Sequence, residues 1–293
     1  MQREEFGRLM AALRRENIDL QAGKVWTQKM LAEKANLSER TIGQIEQGEK
    51  MNMEPQVLAQ LAHALGLTSM ERRALYAAAA EVDINQRAGF SKSPETILAE
   101  LLAAINGVCL PAFIYDAYNN VIAMNAIIRA LAILPISLIE SGGDSPGGFN
   151  LLRYYFAPES PYKTLLSADW TKFALRAVQH FRAASLPYRH TERFVALFKD
   201  LCQYPLFQDF WARTKYASED IYYRWEKIAY HHPNLGPLAY IITESLTLTG
   251  REELYFVTYV PGDRQTLLTL DRLAQQVGTQ MQRLTDWPYS YRG

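Results

Sequence analysis

Along the first 80 residues, apolar positions recur every three or four places, the spacing that gives a helix one apolar stripe. Phe6, Leu9, Met10 and Leu13 predict a helix over residues 3–17, with Arg14 on the same side and so in need of an internal ion partner. After the loop NIDLQAGKVW, two short amphipathic segments follow in TQKMLAEKANLSERTIGQIEQG, residues 27–48. The first, Thr27 to Ala35, places Met30, Leu31 and Ala35 on its apolar face. Asn36 and Leu37 make the turn, and Ser38 offers a hydroxyl acceptor at the next N-cap. The second turns Thr41, Ile42 and Ile45 inward and leaves Glu39, Arg40, Gly43, Gln44 and Gln47 outward. Pro55 then opens a helix with Val57, Leu58, Leu61, Ala62 and Leu65 inside, and Gly66 ends it. A fifth helix, Ser69 to Ala80, starts on a Ser cap and carries Met70, Leu75 and Tyr76.

Residues 81–95, EVDINQRAGFSKSPE, are polar with Gly, Pro and Ser, and read as a linker between domains 1–80 and 96–293. Ser93-Pro94 starts a helix through Ile105. From Pro111 the period changes. AFIYD and NVIAMN are short β-rich runs around Ala117-Tyr118-Asn119, a hairpin pattern. Ala126 to Leu134 is a short apolar helix, ESGGDSPGG (140–148) a loop, and FNLLRYYF a brief aromatic helix or turn. Three helices follow, marked by Trp170, Phe173, Ala174, Ala177 and Phe181; by Phe194, Leu197, Phe198 and Leu201; and by Leu206, Phe207, Phe210 and Trp211. IYYRWEKIAYH, PLAYIITESLTL and ELYFVTYVP have the length of antiparallel strands, and a final amphipathic helix spans Arg264 to Leu284. Strands, a block of helices and strands again give an α+β domain with one antiparallel sheet covered on one face by helices.

Composition narrows the class. With 293 residues, 48% hydrophobic and 21% charged, the chain has material for two ordinary globular domains. No apolar run approaches the roughly 20 residues of a membrane span, and the charged N-terminus has no signal-peptide core, so a cytoplasmic protein is expected. Cys109 and Cys202 sit in apolar surroundings and read as buried, inert thiols. No glycine-rich phosphate loop, G-x-S-x-G elbow, H-E-x-x-H or C-x-x-C pattern is present, so no catalytic residue is assigned and a non-enzyme is expected. His231 and His232, adjacent on a strand, point to opposite faces and make a poor metal pair; no metal site is expected.

The two short helices at residues 27–48, joined by a three-to-four-residue turn, have helix-turn-helix proportions. The outward Arg and Gln are side chains that bond guanine and adenine edges bidentately. The same period fits any pair of packed helices. Charge pulls the other way: residues 1–80 hold 11 Lys/Arg against 10 Asp/Glu, only one positive charge in excess, where a DNA-binding domain usually shows a basic footprint. Positive potential must then come from local placement of Arg15, Lys24, Lys29, Arg40 and Lys50.

Taken with PQVLAQLAHALGL behind it, TQKMLAEKANLSERTIGQIEQG resembles the XRE, phage-repressor-like helix-turn-helix family, through Gln28, Ala32, Leu37-Ser38, Ile42 and the IEQG ending. The long loop before the second helix and ERRALYAAA resemble its MmyB-like branch. The resemblance implies a five-helix bundle, with Glu46 paired to Arg14. It also implies that Gln28, Ser38 and Lys50 hold phosphates while Glu39, Arg40, Thr41 and Gln44 read bases of a double-stranded operator. A homodimer on a two-fold operator is expected. In the second domain PAFIYD, VIAMN, NLLRYYF, ADW, LFQDFWA, HHPNLG and VTYVPGDRQTLLTLDRL, in that order, resemble the PAS-like ligand-binding domain of MmyB-like regulators.

All but one of the 17 Tyr and all but one of the 12 Phe lie beyond residue 85. Large flat side chains between a sheet and helices leave irregular gaps that suit a ligand, although a solid aromatic core has the same composition. The expected cavity walls are Phe113, Tyr115, Met124, Ile128, Leu152, Phe156, Trp170, Phe173, Ala177 and Tyr240, with Asn125, Asn150, Arg153, Arg176 and His232 as polar anchors. Since Arg pairs bidentately with carboxylates, a fatty acid or similar apolar acid is the expected ligand, with no obligatory cofactor. The competing expectation is a ligand-free domain that dimerises or docks a protein.

Overall fold

The computed structural model describes residues 1–19, 23–50, 53–83, 92–132, 148–166, 169–215, 227–249 and 253–287. The predicted loop 140–147, most of the linker and the first half of the strand IYYRWEKIAYH lie outside these residues. The chain divides into two compact units, Met1–Gly89 with Leu175–Tyr222, and Phe90–Ala174 with Tyr223–Gly293.

In the helical unit the five expected helices are α1 (Arg3–Arg15), α2 (Gln28–Ala35), α3 (Glu39–Glu46), α4 (Pro55–Ala64) and α5 (Ser69–Asp83). The loop after α1 carries a two-strand ribbon, β1 (Ile18–Asp19) paired antiparallel with β2 (Lys24–Val25). Local chemistry sets the boundaries. Thr27 caps α2 through Met30 N–H, Asn36 ends it in the left-handed region at φ 53°, and Ser38 caps α3. Thr68, and not the expected Ser69, caps α5: its Oγ1 accepts from Glu71 N–H at 3.2 Å while Glu71 Oε2 accepts from Thr68 N–H at 2.9 Å. That reciprocal box needs an acid three residues on, which Glu71 supplies to Thr68. Phe6, Leu9, Met10, Leu13, Leu31, Ile42, Ile45, Leu58, Leu61 and Leu75 form one core.

That core also buries Leu186, from far along the chain. The helices that complete this unit are the greater part of α10 (Trp170–Ala184), a 3-10 turn at Leu186–Tyr188, α11 (Glu192–Leu201) and α12 (Pro205–Thr214). Phe181, Phe194, Phe198, Phe207 and Trp211 pack among themselves with ring centroids 4.8 to 6.4 Å apart.

In the sheet unit the strands are β3 (Ala112–Asp116), β4 (Val121–Asn125), β5 (Ile228–His232), β6 (Gly236–Leu248), β7 (Glu253–Pro261) and β8 (Met281–Arg283). They pair antiparallel in the order β5-β6-β7-β3-β4-β8. The predicted hairpin is β3–β4, with a register shift after Ile114. Register sorts the faces. Ala112 and Ile114 of β3 and Leu254 of β7 pack on α6 (Pro94–Gly107) with Leu98, Ile105 and Trp287. Phe113, Tyr115, Tyr255 and Tyr259 point the other way, toward α7 (Ala126–Leu131), α8 (Leu151–Phe156) and α9 (Tyr162–Leu166). Helices thus lie on both faces, where the sequence pattern implied one. The predicted last helix is also shorter: α13 runs Arg264–Val277, because Gly278 at φ 75° leaves the helical region. The residues beyond it become β8 beside β4.

Candidate DNA-binding face and ligand cavity

A three-way clamp fixes α3. Arg14 of α1 donates from Nε to Glu46 Oε1 at 2.7 Å and from Nη2 to Oε2 at 2.9 Å. Its Nη1 donates to the Trp26 carbonyl at 2.5 Å, and Gln28 Nε2 donates to Glu46 Oε2 at 2.8 Å. A bidentate guanidinium–carboxylate pair holds orientation as well as distance, so α3 is locked to α1 and α2. Gly7 makes the approach close: a Cβ there would lie 2.4 Å from the Glu46 carbonyl oxygen. Along α3, Glu39 and Arg40 are exposed and Thr41 and Gln44 half-buried. Arg40 and Gln44, four residues apart on one helix, share a face. Lys50 is half-buried just past α3, its N–H and that of Glu49 donating to the Gln44 carbonyl. Ser38 Oγ accepts from Thr41 N–H at 3.0 Å and lies 2.7 Å from Thr41 Oγ1, so its hydroxyl shapes the helix start. Gln28, with one amide hydrogen on Glu46, keeps a second for another acceptor.

In the sheet unit, a narrow cleft with a free volume of about 30 Å³ lies between the sheet and α7, α8 and α9. Its sheet wall is Phe113, Val121, Met124 and Tyr259; Ile128 and Ala132 come from the end of α7, and Phe149, Leu151, Tyr154, Tyr155 and Tyr162 complete it. Rings continue outward from it. Tyr240 stacks on Tyr259 at 4.5 Å, Tyr115 stacks on Tyr255 at 4.9 Å, and Phe173 of α10 stacks on Tyr162 at 5.6 Å and meets Tyr155 edge-on at 4.8 Å. Burial pushes the hydroxyls of Tyr154, Tyr155, Tyr162, Tyr240 and Tyr259 up from the ordinary phenol value, and neighbouring phenols add to it. Tyr230 rises to about 12 for the same reason, partly offset by a hydrogen bond with Tyr240. These groups are neutral at any physiological pH.

A family model described as the MmyB-like transcription regulator ligand binding domain matches residues 96–273, more than half of the chain, and a helix-turn-helix model matches residues 5–75. The chain belongs to the MmyB-like transcription regulators. No curated protein sequence matches it. As an MmyB-like regulator it is a DNA-binding transcription regulator with a C-terminal ligand-binding domain, a helical bundle followed by an antiparallel sheet with helices.

Of the cavity walls expected from the regulator's sequence, Phe113, Met124 and Ile128 line the cleft. Tyr115, Phe173 and Tyr240 stand one ring behind it. Phe156 and Trp170, 6.0 Å apart, and the fully buried Leu152 belong to the surrounding core. Ala177 and Arg176 are counted with the helical unit. The polar anchors have structural work. Asn125 Oδ1 accepts from Ala112 N–H and Ile128 N–H, and its Nδ2 donates to the Val108 and Leu110 carbonyls. Asn150 caps α8 and donates to Tyr118 O and Asn120 Oδ1. Arg153 Nη1 lies 3.5 Å from the Gly148 carbonyl. His232 Nδ1 accepts from Asn234 and Leu235 N–H while Nε2 faces Leu131 O at 3.2 Å, a neutral ring whose pKa burial lowers. Val121, Ala132, Phe149, Leu151, Tyr154, Tyr155, Tyr162 and Tyr259 also line the cleft, and the sequence pattern does not single them out as a set. Tyr259 was legible from its place in the alternation of ELYFVTYVP; Tyr162, after a proline turn, carried no such signal.

The regulator's helical unit holds a further buried cluster. Arg189 Nη2 donates to Glu71 Oε1 at 2.5 Å and to the Arg182 carbonyl at 2.7 Å, and its Nη1 to Glu16 Oε2 at 3.0 Å. Arg182 Nη2 lies 3.0 Å from Glu71 Oε1, and both guanidiniums sit over the Trp211 ring, at 4.2 and 5.1 Å. Lys215 donates to Asn17 beside them. Burial works to raise the Glu71 carboxyl, but Arg182, Arg189 and the Thr68 N–H override it and hold it at about 2. Residues 175–214 are part of the matched ligand-binding model, so helices of that family domain brace the DNA-binding bundle. Cys109, in the connection from α6 to β3, is exposed and Cys202 half-buried, against the expectation of two buried thiols. Among the described residues no group of His, Cys, Asp and Glu is arranged to hold a metal, and no helix is long and apolar enough to cross a membrane.

Proposed function

We propose that this regulator is a homodimer that acts in the cytoplasm, reads a two-fold operator through Arg40 and Gln44, and senses a small apolar molecule in the aromatic cleft. The reading rests on one observation above the rest: an apolar cleft walled by Phe113, Met124, Ile128 and four tyrosines inside a domain of a ligand-binding family. Glu39 and Thr41 would assist the reading pair, while Gln28, Ser38 and Lys50 would hold phosphates. Half-sites are expected about 34 Å apart, or a multiple of that, as helix-turn-helix dimers require.

Ligand binding would bias helix packing in the second domain and so the spacing of the two recognition helices, a population shift. A fatty acid or similar molecule, as the sequence suggested, supplies the apolar body that such walls favour. Native mass spectrometry of the purified protein, together with thermal shifts over an acyl-chain series, tests the sensor reading. Neither a retained molecule nor a shift would favour a ligand-free docking domain instead.

A further inference from the structure

We infer that the solvent face of α13 is the surface through which two copies of this chain pair, antiparallel about a two-fold axis. The inference rests on the homodimer reading above and names the face that carries it. The buried side of α13 is Thr266, Thr269, Leu270 and Leu273. Its start is pinned: Asp263 Oδ1 accepts from Thr266 N–H at 2.8 Å, and Thr266 Oγ1 accepts from Ala239 N–H at 2.8 Å. Opposite that side, at 3.6 residues per turn, stand Arg264, Leu267, Leu268, Asp271 and Gln275, all exposed. Leu267 is 50% exposed and Leu268 48%. They sit side by side at the middle of a face whose other positions are polar.

The charges decide what fits there. Arg264 stands one turn before the leucines and Asp271 one turn after them, about 10 Å apart along the axis at 1.5 Å per residue. When a second α13 runs the opposite way, with the two-fold axis between Leu267 and Leu268, the leucines of both copies meet at the centre. Arg264 then faces the partner's Asp271, and the symmetry repeats that ion pair at the other end. A parallel arrangement would set Arg264 against Arg264 and Asp271 against Asp271, where like charges repel. Gln275 Nε2 donates to Asp271 Oδ2 at 3.1 Å, which holds the carboxylate on this face. Two such helix faces cover less than the roughly 1,200 Å² of a standard interface, so the dimer is reversible and concentration-dependent.

Sedimentation velocity of the full chain over a concentration series, at low salt, is the test. Arg264→Asp and Asp271→Arg should each weaken self-association at least about tenfold, a difference of about 1.4 kcal/mol, because each sets like charges face to face twice. The double variant R264D/D271R rebuilds both pairs with their signs exchanged and should recover most of the parent affinity. Leu268→Ser should abolish the dimer and leave the far-ultraviolet circular dichroism unchanged. Single variants that weaken the dimer without rescue by the double would refute the antiparallel pairing. Equal self-association in the parent and all variants would move the interface elsewhere, overturning this inference and leaving the homodimer reading intact. A parent that stays monomeric at millimolar concentration would sink the homodimer reading, and this inference with it.

Discussion

Replacement of Arg189 by Met gives the sharpest test of how the helical unit is held. The guanidinium is fully buried and bonds to Glu16, Glu71 and the Arg182 carbonyl. Met fills much of its volume but leaves two carboxylates facing one guanidinium. Breaking a buried ion cluster by removing one member typically costs about 3–5 kcal/mol. Glu16 Oε1 and the Nε atoms of Arg182 and Arg189 already lack hydrogen-bond partners among the described residues, which places the loss near the lower end. The acid limb gives a second handle. Glu71 is held at about 2 against 4.5, and at 1.36 kcal/mol per pH unit this is about 3 kcal/mol. Because the folded value is depressed, that stability is complete above pH 4.5 and is lost as pH falls toward 2. Glu16 runs the other way: burial raises its value despite Arg189 and Arg182, so its contribution fades as pH rises through that raised value. Urea unfolding of the full chain, with hydrogen exchange followed in α5, should show Arg189→Met less stable by about 3 kcal/mol at neutral pH, with a flatter acid limb. A change below about 1 kcal/mol with an unaltered acid limb would refute the electrostatic account of this cluster.

Three further outcomes are expected. Arg40→Ala should cost about 1–3 kcal/mol of operator binding and relax preference at one base position, read by selection from random DNA; an unchanged preference removes Arg40 from the reading set. Gly7→Ala should lower the melting temperature by overpacking α1 on the Glu46 carbonyl, about 1–3 kcal/mol, whereas Gly43→Ala, with its nearest neighbour 3.8 Å away, should gain about 0.5–1 kcal/mol; equal effects would show that the close approach does not matter. Asn125→Ala should lose about 2 kcal/mol or more, since it uncaps α7 and strands two carbonyls, and differential scanning calorimetry reads the shift.

Much of the DNA-binding bundle was legible in the chain. Apolar spacing, a Ser before the second short helix, and an Arg on the apolar side of the first helix are local signals that led to their elements, and the family resemblance supplied Glu46 as the partner of Arg14. That Arg40 and Gln44 share a side was legible too, because residues four apart on one helix must do so. The β3–β4 hairpin and the aromatic character of the second domain were equally local. What the sequence could not place were meetings between distant segments. Leu186 in the bundle core, Arg189 on Glu16 and Glu71, and Tyr162 opposite Tyr259 depend on chain reversals that no period records. The same holds for Asn125, Asn150 and His232, read as ligand anchors and found capping helices or bonding backbone. A polar side chain in an apolar stretch must find partners, but only the tertiary structure decides whether those partners are backbone groups or a ligand. Periodicity determined which face of each element is buried; the packing of elements far apart in the chain decided what each buried face touches.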